Sequence, residues 1–159
     1  MSQVAVYPGT FDPFTNGHLS LIERASCIFG RVIVAVATSS RKSPVYTLEQ
    51  RLSMARSALS HRENVSVEPC EGLLVDFVTA CKSRIIVRGL RAVSDFDYEF
   101  QLSGMNHRLD ANVETVFLPA LGDSAFVSAT MVREIVRLGG DVSPFVPQAV
   151  LPFLANENI

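Results

Sequence analysis

The segment of residues 32–38 constrains the fold more than any other part of this 159-residue chain. It reads Val-Ile-Val-Ala-Val-Ala-Thr, so apolar residues occupy consecutive positions rather than every second one. Because successive side chains of a strand point to opposite faces of the sheet, such a strand needs apolar cover on both faces. The segment is therefore predicted to be a central strand of a parallel sheet.

Apolar runs typical of strands alternate with helical patterns along the rest of the chain. Further strands are predicted at residues 4–6, 65–68, 84–88 and 113–118. Helices are predicted at residues 19–29, 48–59, 73–82, 130–138 and 147–154, with a sixth that Ser94 caps and that ends near residue 109. Thr47 and Gln50 have the spacing of a capping box before the second helix. The alternation predicts a single α/β domain over residues 1–159, with a Rossmann-like, doubly wound sheet of five parallel strands and helices on both faces.

A segment rich in Gly and Pro connects the first predicted strand with the first helix. Residues 7–18 read YPGTFDPFTNGH and deliver His18 to the first turn of that helix. Backbone N–H groups at a helix N-terminus lack partners and favour an anion, phosphate above all. A histidine there adds a donor toward the same anion, so the segment predicts a phosphate site that carries a histidine. The alternative is a partly exposed loop histidine, which this context disfavours.

Polar residues follow several predicted strands at their carboxyl ends, where doubly wound sheets bind ligands. The residues concerned are Thr10, His18, Lys42, Arg88, Arg91 and the segment 124–130. Cationic and hydroxyl groups at one rim suit a ligand with several phosphates. Phosphoryl and nucleotidyl transfer require mainly in-line placement and neutralisation of negative charge.

Several of these residues also have a purely structural interpretation. Lys42 lies in a polar segment for which a mobile surface loop is an equal alternative. Ser128 and Thr130 are also good helix caps, and the two arginines could be solvated surface charges. The helix dipole explains the acidic run at Asp95, Asp97 and Glu99 better than a metal site does.

Composition and missing motifs narrow the function classes. The formal net charge of −2 disfavours a nucleic-acid partner, and no apolar run approaches the length of about 20 residues that spans a bilayer. The chain has neither a G-x-G-x-x-G nor a P-loop motif, and because the first predicted strand begins at residue 4, no signal peptide is expected. Cys27, Cys70 and Cys81 lack metal or redox spacing, and we expect Cys27 and Cys81 in the core. A cytoplasmic location is expected.

Three motifs carry a resemblance to a known family. Residues 15–18, Thr-Asn-Gly-His, resemble the (H/T)-x-G-H signature of the nucleotidylyltransferase superfamily, and residues 7–18 as a whole are similar to bacterial phosphopantetheine adenylyltransferases. Residues 88–99, RGLRAVSDFDYE, resemble that family's R-G-L-R-x-x-x-D-F-E/D-Y-E segment. Residues 126–134, FVSATMVRE, resemble its I-S-S-[ST]-x-V-[RK]-E segment, with Ala129 where the family usually has Ser.

The resemblance implies reversible transfer of the adenylyl group of ATP to 4′-phosphopantetheine, which gives dephospho-coenzyme A and pyrophosphate. It implies that the acceptor is held by Thr10, Lys42, Leu74 and Arg88. It implies that ATP is held by Thr10, Phe11, His18, Gly89, Leu90, Arg91, Glu99, Ser124, Ala125, Phe126, Val127, Ser128, Ala129 and Thr130. His18 would stabilise the transition state, aided by Thr10 and Lys42. Mg²⁺ would be carried by the ATP phosphates rather than by protein side chains. A homohexamer and inhibition by coenzyme A are further family expectations, and the 48% hydrophobic content permits self-association.

Two other functions remain as alternatives. A related nucleotidylyltransferase would use nicotinamide mononucleotide or glycerol 3-phosphate as acceptor, but Thr15 and the R-G-L-R segment favour the phosphopantetheine branch. A catalytically silent nucleotide-binding module would be expected to have lost His18 or the cations at the rim, and the sequence retains them.

Overall fold

The computed structural model of the chain describes residues 3–38 and 43–155. Its strands are β1 Val4–Gly9, β2 Arg31–Ala37, β3 Val65–Cys70, β4 Ile85–Leu90 and β5 Glu114–Pro119. Its α-helices are α1 Asn16–Ile28, α2 Leu48–Leu59, α3 Leu74–Ala80, α4 Val93–Leu109, α5 Ala129–Arg137 and α6 Leu151–Leu154. Two 3₁₀ turns, Gly122–Phe126 and Gln148–Val150, precede α5 and α6.

The described strands form one parallel sheet in the order β3-β2-β1-β4-β5. Val6 in β1 lies opposite Ile33 of β2 on one side and Ile86 of β4 on the other. The chain therefore adds β2 and β3 on one side of β1, and then returns to add β4 and β5 on the other side. The strand order reverses between β1 and β4, which is where doubly wound sheets open a ligand crevice. This confirms the predicted fold class.

The sheet is apolar on both faces, as residues 32–38 predict. Val32, Val34 and Val36 are buried in the larger core cluster. Ile33 and Ala35 are buried in a second cluster. Residues of α1, α2, α5 and α6 pack into the first cluster, and residues of α3 pack into the second. β2 is thus a fully covered inner strand.

Helix boundaries follow the local capping signals closely. α2 spans the predicted residues, and Thr47 and Gln50 make the reciprocal hydrogen bonds of a capping box. The prediction that Ser94 caps α4 is wrong, because the helix begins one residue earlier, at Val93. The cap comes instead from Asp95, whose Oδ2 accepts hydrogen bonds from the backbone N–H groups of Arg91 and Ala92.

The prediction that Cys27 belongs to the core is also wrong. The buried face of α1 carries Leu21, Ile22 and Ala25, and Cys27 lies off that stripe and is exposed. Cys81 is partly buried against the second cluster. Across the two described stretches, no helix combines the length and apolar character that crossing a membrane requires.

Candidate active site

A cavity of about 310 Å³ opens at the carboxyl ends of β1 and β4, at the reversal of strand order. It brings together many of the predicted site residues, from four separate stretches of chain. Those that line it are Thr10, His18, Arg88, Gly89, Arg91, Glu99, Ser124, Val127, Ser128, Ala129 and Thr130. The cavity is therefore the candidate active site.

His18 is the third residue of α1, and its ring takes part in capping that helix. The backbone N–H of Thr15 donates to His18 Nδ1 at 3.0 Å, and Thr15 Oγ1 lies 3.2 Å from the same nitrogen. Because an N–H donor occupies Nδ1, that nitrogen is the unprotonated acceptor of a neutral ring. The proton is then on Nε2, which makes Nε2–H the donor that His18 offers to a ligand.

The surroundings of His18 keep the ring uncharged. Its centroid lies 4.8 Å from that of Phe11 and 5.5 Å from that of Phe14. Burial, with the positive charges of Arg91 and Arg88, lowers the pKa of His18 from 6.5 to about 3. His18 is therefore a neutral hydrogen-bond donor at physiological pH.

Arg88 reaches the cavity from β4 and is held there by Glu99 of α4. Its Nε donates to Oε2 at 2.7 Å and its Nη2 to Oε1 at 2.6 Å, while Nη1 donates to the Pro8 carbonyl at 2.9 Å. Burial alone lowers the pKa of Arg88, but the hydrogen bonds and charge of Glu99 outweigh it and raise the pKa above its ordinary value. Arg88 is thus held as a charged guanidinium in this pair.

Arg91 is also paired with a carboxylate that lines the cavity. Its Nε lies 3.6 Å from Asp95 Oδ2, and its Nη1 donates to the Val127 carbonyl at 3.3 Å. Within the described part of the cavity wall, the charges of Arg88 and Arg91 are balanced by Glu99 and Asp95. The sequence analysis missed this role of Asp95, although its i, i+4 spacing from Arg91 is a signal for the pair.

The N-terminus of α5 forms the opposite wall of the cavity. Ser128 caps the helix by accepting a hydrogen bond from the Met131 N–H at 3.2 Å. Ala129 and Thr130, the first residues of α5, line the cavity. The backbone N–H groups of such a first turn are suited to an anion.

The chain is similar to known proteins in family, sequence and fold. A family model described as cytidylyltransferase-like matches residues 6–135. The chain is 57% identical over 148 residues to the phosphopantetheine adenylyltransferase of Azoarcus sp.. The aligned region covers 93% of this chain and 91% of that protein. The enzyme of the same name from Aromatoleum aromaticum is 58% identical over 147 residues, a match that covers 92% of this chain and 90% of that protein. The one from Coxiella burnetii is 57% identical over 150 residues, a match that covers 94% of each. The chain belongs to the phosphopantetheine adenylyltransferase family.

The fold is shared more widely than the sequence. The crystal structure of a protein assigned as a nicotinate-nucleotide adenylyltransferase from Vibrio parahaemolyticus is similar to this one with a TM-score of 0.76 and 19% identity. The match covers 99% of this chain and 94% of that one. Family membership confirms the prediction of a nucleotidyltransferase and favours it over the silent binding module.

Five residues that the family resemblance implies do not line the cavity. Phe11 is 2% exposed and packs beneath the His18 ring. Leu74 begins α3 and packs against the second core cluster. It lies away from the cavity because α3 follows β3, which is at the edge of the sheet. Leu90 ends β4, and Ala125 and Phe126 belong to the 3₁₀ turn, where Phe126 is 83% exposed. Lys42 lies outside the described residues.

Asp12 is the acidic residue within the motif of residues 7–18, and its carboxylate makes three contacts in the structure. It accepts hydrogen bonds from the backbone N–H groups of Val45 at 3.0 Å and Tyr46 at 2.9 Å, and lies 3.6 Å from Arg133 Nη1. Among residues 3–38 and 43–155, no cluster of three His, Cys, Asp or Glu side chains could hold a metal ion. The carboxylate of Asp12 joins the segment before α2 to Arg133 of α5.

Proposed function

We propose that this member of the phosphopantetheine adenylyltransferase family transfers the adenylyl group of ATP to 4′-phosphopantetheine, in the biosynthesis of coenzyme A. The observation that carries the proposal is the convergence of the His18 imidazole, the Arg88 and Arg91 guanidinium groups and the start of α5 on one cavity. The acceptor is inferred from the names of relatives that are 53–58% identical.

In the proposed reaction, a phosphate oxygen of 4′-phosphopantetheine attacks the α-phosphorus of ATP in line. A new P–O bond forms, the bond from the α-phosphorus to the bridging oxygen breaks, and that oxygen leaves with pyrophosphate. The attacking phosphate is already an anion, so the step needs no general base. Dephospho-coenzyme A is the second product, and the bound pyrophosphate can attack it to reverse the reaction.

His18 stabilises the transition state as a neutral donor. Negative charge grows on the non-bridging oxygens of the α-phosphate, and the Nε2–H of His18 donates to one of them. The Thr15 N–H on Nδ1 fixes the tautomer before substrate arrives, so the reaction requires no change in protonation of the ring. A low pKa suits this role, because His18 donates a hydrogen bond and keeps its proton.

Arg88 is assigned to the phosphate of the acceptor. A guanidinium has five N–H groups, and the contacts to Glu99 and Pro8 use three of those of Arg88. The remaining N–H groups can bind the phosphate together with Thr10 and Lys42. Glu99 lines the same cavity and is retained as a contact of ATP, while its carboxylate also fixes the plane of the Arg88 guanidinium.

Arg91 and the first turn of α5 are assigned to the departing pyrophosphate. The hydroxyl that the family has at position 129 is absent, and the backbone N–H of Ala129 supplies the contact there. Mg²⁺ bound to the triphosphate would neutralise part of its charge. This matters because the guanidinium charges of Arg88 and Arg91 are already balanced by carboxylates.

Self-association and feedback are also proposed from the family. Helix α4 exposes several large apolar side chains that other subunits would cover: Val93, Tyr98, Phe100, Met105 and Leu109. A homohexamer should sediment at six times the monomer mass, and coenzyme A should inhibit the reaction in competition with 4′-phosphopantetheine.

The test is a pyrophosphate-release assay with ATP, Mg²⁺ and one acceptor at a time. We expect pyrophosphate with 4′-phosphopantetheine and none with nicotinamide mononucleotide or glycerol 3-phosphate. Release with one of the latter alone would make the proposed acceptor wrong. Absence of release with all three would contradict adenylyl transfer itself.

A further inference from the structure

Phe11 is a buried aromatic residue whose backbone is in a conformation that favours glycine. Its φ is 53°, in the left-handed region, and the residue is only 2% exposed. A residue other than glycine keeps such a conformation only where the surrounding structure holds it there, because the conformation costs free energy. Phe11 therefore occupies its place in the core against the preference of its own backbone.

The ring of Phe11 lies against the imidazole of His18. The two centroids are 4.8 Å apart and the planes meet at 70°, an edge-to-face arrangement that aromatic rings favour. Two other rings hold Phe11 in turn. Phe14 stacks on it with the centroids 5.8 Å apart, and Tyr7 meets it at 72° with the centroids 5.6 Å apart. The contact with His18 is thus part of a packed aromatic cluster.

Gly9 leaves the space that the ring of Phe11 fills. A Cβ atom at Gly9 would lie 2.9 Å from Cζ of that ring and 3.0 Å from its Cε2, and the first distance is shorter than real Cβ atoms allow. Gly9 ends β1, so its lack of a side chain lets the ring pack directly on the end of the strand. A side chain at residue 9 would displace the ring while leaving both Phe11 and His18 chemically intact.

His18 needs a second contact to fix the direction of its donor. The Thr15 N–H holds Nδ1 at 3.0 Å, but the direction of Nε2–H also depends on the plane of the ring. A single hydrogen bond tolerates a range of angles and does not set that plane by itself. The packing of the imidazole against Phe11 restricts the plane.

We propose that Phe11 is a positioning residue for His18, because its ring fixes the plane of the imidazole and so sets the direction of Nε2–H in the cavity. The inference rests on the proposed function, which gives that N–H its role. In the part of the chain that the structure describes, Phe11 does not line the cavity. Its side chain therefore acts through His18 and not by touching a substrate.

The test compares Phe11→Leu with Phe29→Leu. Leucine is apolar but lacks the flat ring, and Phe29 follows α1 at its other end and is buried in the same core cluster. For Phe11→Leu we expect kcat to fall by about tenfold to a hundredfold, as for a misplaced catalytic group, and both KM values to stay within about twofold. Phe29→Leu should leave kcat and both KM values within about twofold.

A second readout needs no substrate. In the ligand-free protein with nitrogen-15-labelled histidine, Phe11→Leu should broaden or shift the Nε2 signal of His18, because the ring is no longer held in one plane. Phe29→Leu should leave that signal as in the wild type. Gly9→Ala should change it in the same way as Phe11→Leu, since the added Cβ displaces the Phe11 ring. Gly9→Ala also serves if Phe11→Leu does not fold.

Equal losses of kcat in Phe11→Leu and Phe29→Leu would overturn the inference, as would raised KM values with an unchanged kcat. A His18 spectrum that neither Phe11→Leu nor Gly9→Ala alters would overturn it as well. Failure of the proposed function is distinguishable, because it appears as a wild-type protein that releases no pyrophosphate. The ligand-free spectra then still decide whether Phe11 positions His18.

Discussion

The carboxylate of Glu99 holds the guanidinium of Arg88 in a bidentate ion pair inside the candidate active site. The two residues come from β4 and α4, so the pair joins the strand that ends at the cavity to the helix that follows it. It uses only part of the donor capacity of Arg88. The pair therefore fixes the plane of the guanidinium that we propose as the binding group for the acceptor phosphate.

Loss of one partner of this pair should lower the free energy of unfolding. The side chain of Glu99 is 9% exposed, so Arg88→Met leaves its carboxylate buried without compensation. We expect a loss of about 3–5 kcal/mol in the free energy of unfolding, measured by urea denaturation. The double variant Arg88→Met/Glu99→Met should recover part of that loss. The control is Arg137→Met, which breaks an exposed pair with Glu134 and should have no measurable effect. Equal effects of the two single variants would contradict the assignment.

Removal of the His18 side chain should impair turnover far more than binding. His18→Ala deletes one preorganised donor, for which losses of about a hundredfold to a thousandfold in kcat are usual. The KM values of both substrates should change little. His61→Ala is the control, because His61 pairs with Glu23 on the surface and does not line the cavity. Near-normal kcat in His18→Ala would remove His18 from the mechanism.

The low pKa of His18 has a consequence for stability. The folded protein binds the proton only near pH 3, whereas the unfolded chain binds it near pH 6.5. The unfolded state thus binds more protons between these values, and stability falls as pH falls from 6.5 toward 3. His18→Gln cannot titrate, so its free energy of unfolding should depend less on pH in this window. A parallel pH dependence in both proteins would contradict a neutral His18.

The tautomer of His18 can be observed directly. Nitrogen-15 chemical shifts of the ring should show an unprotonated Nδ1 and a protonated Nε2 throughout pH 5–8, because the Thr15 N–H occupies Nδ1. A protonated Nδ1 in this range would contradict the proposed donor.

Lys42 tests the assignment of the two subsites. Lys42→Ala should raise KM for 4′-phosphopantetheine and leave KM for ATP nearly unchanged. Lys82→Ala is the matched control, since Lys82 follows α3 and does not line the cavity. An effect of Lys42→Ala on ATP alone would reverse the assignment.

The sequence predicted features that depend on local pattern. Local sequence determines the helix start at His18 and the capping box of Thr47 and Gln50, because each depends on only a few neighbouring residues. The apolar run at residues 32–38 predicted a strand covered on both faces, and the alternation of elements predicted the parallel sheet. Each of these depends on periodicity or on capping chemistry.

What the sequence did not predict depends on tertiary contacts. The pairing of Arg88 with Glu99 requires that α4 fold back over β4, so the predicted cationic rim is in fact charge-balanced where it is described. Arg51, a buried residue of α2, donates hydrogen bonds to backbone carbonyls of three segments that meet only in the folded sheet. The prediction that Cys27 lies in the core was wrong, because one apolar residue does not define which face of a helix is buried.

Adenylyl transfer to the acceptor phosphate is tested best by following oxygen atoms. 4′-Phosphopantetheine labelled with oxygen-18 in its phosphate is allowed to react with unlabelled ATP and Mg²⁺, and the products are examined by phosphorus-31 NMR. Attack of the acceptor on the α-phosphorus predicts that labelled oxygen bridges the two phosphorus atoms of dephospho-coenzyme A and that pyrophosphate carries no label. Labelled pyrophosphate, an unlabelled bridge or the absence of dephospho-coenzyme A would contradict transfer of the adenylyl group of ATP to the phosphate of 4′-phosphopantetheine.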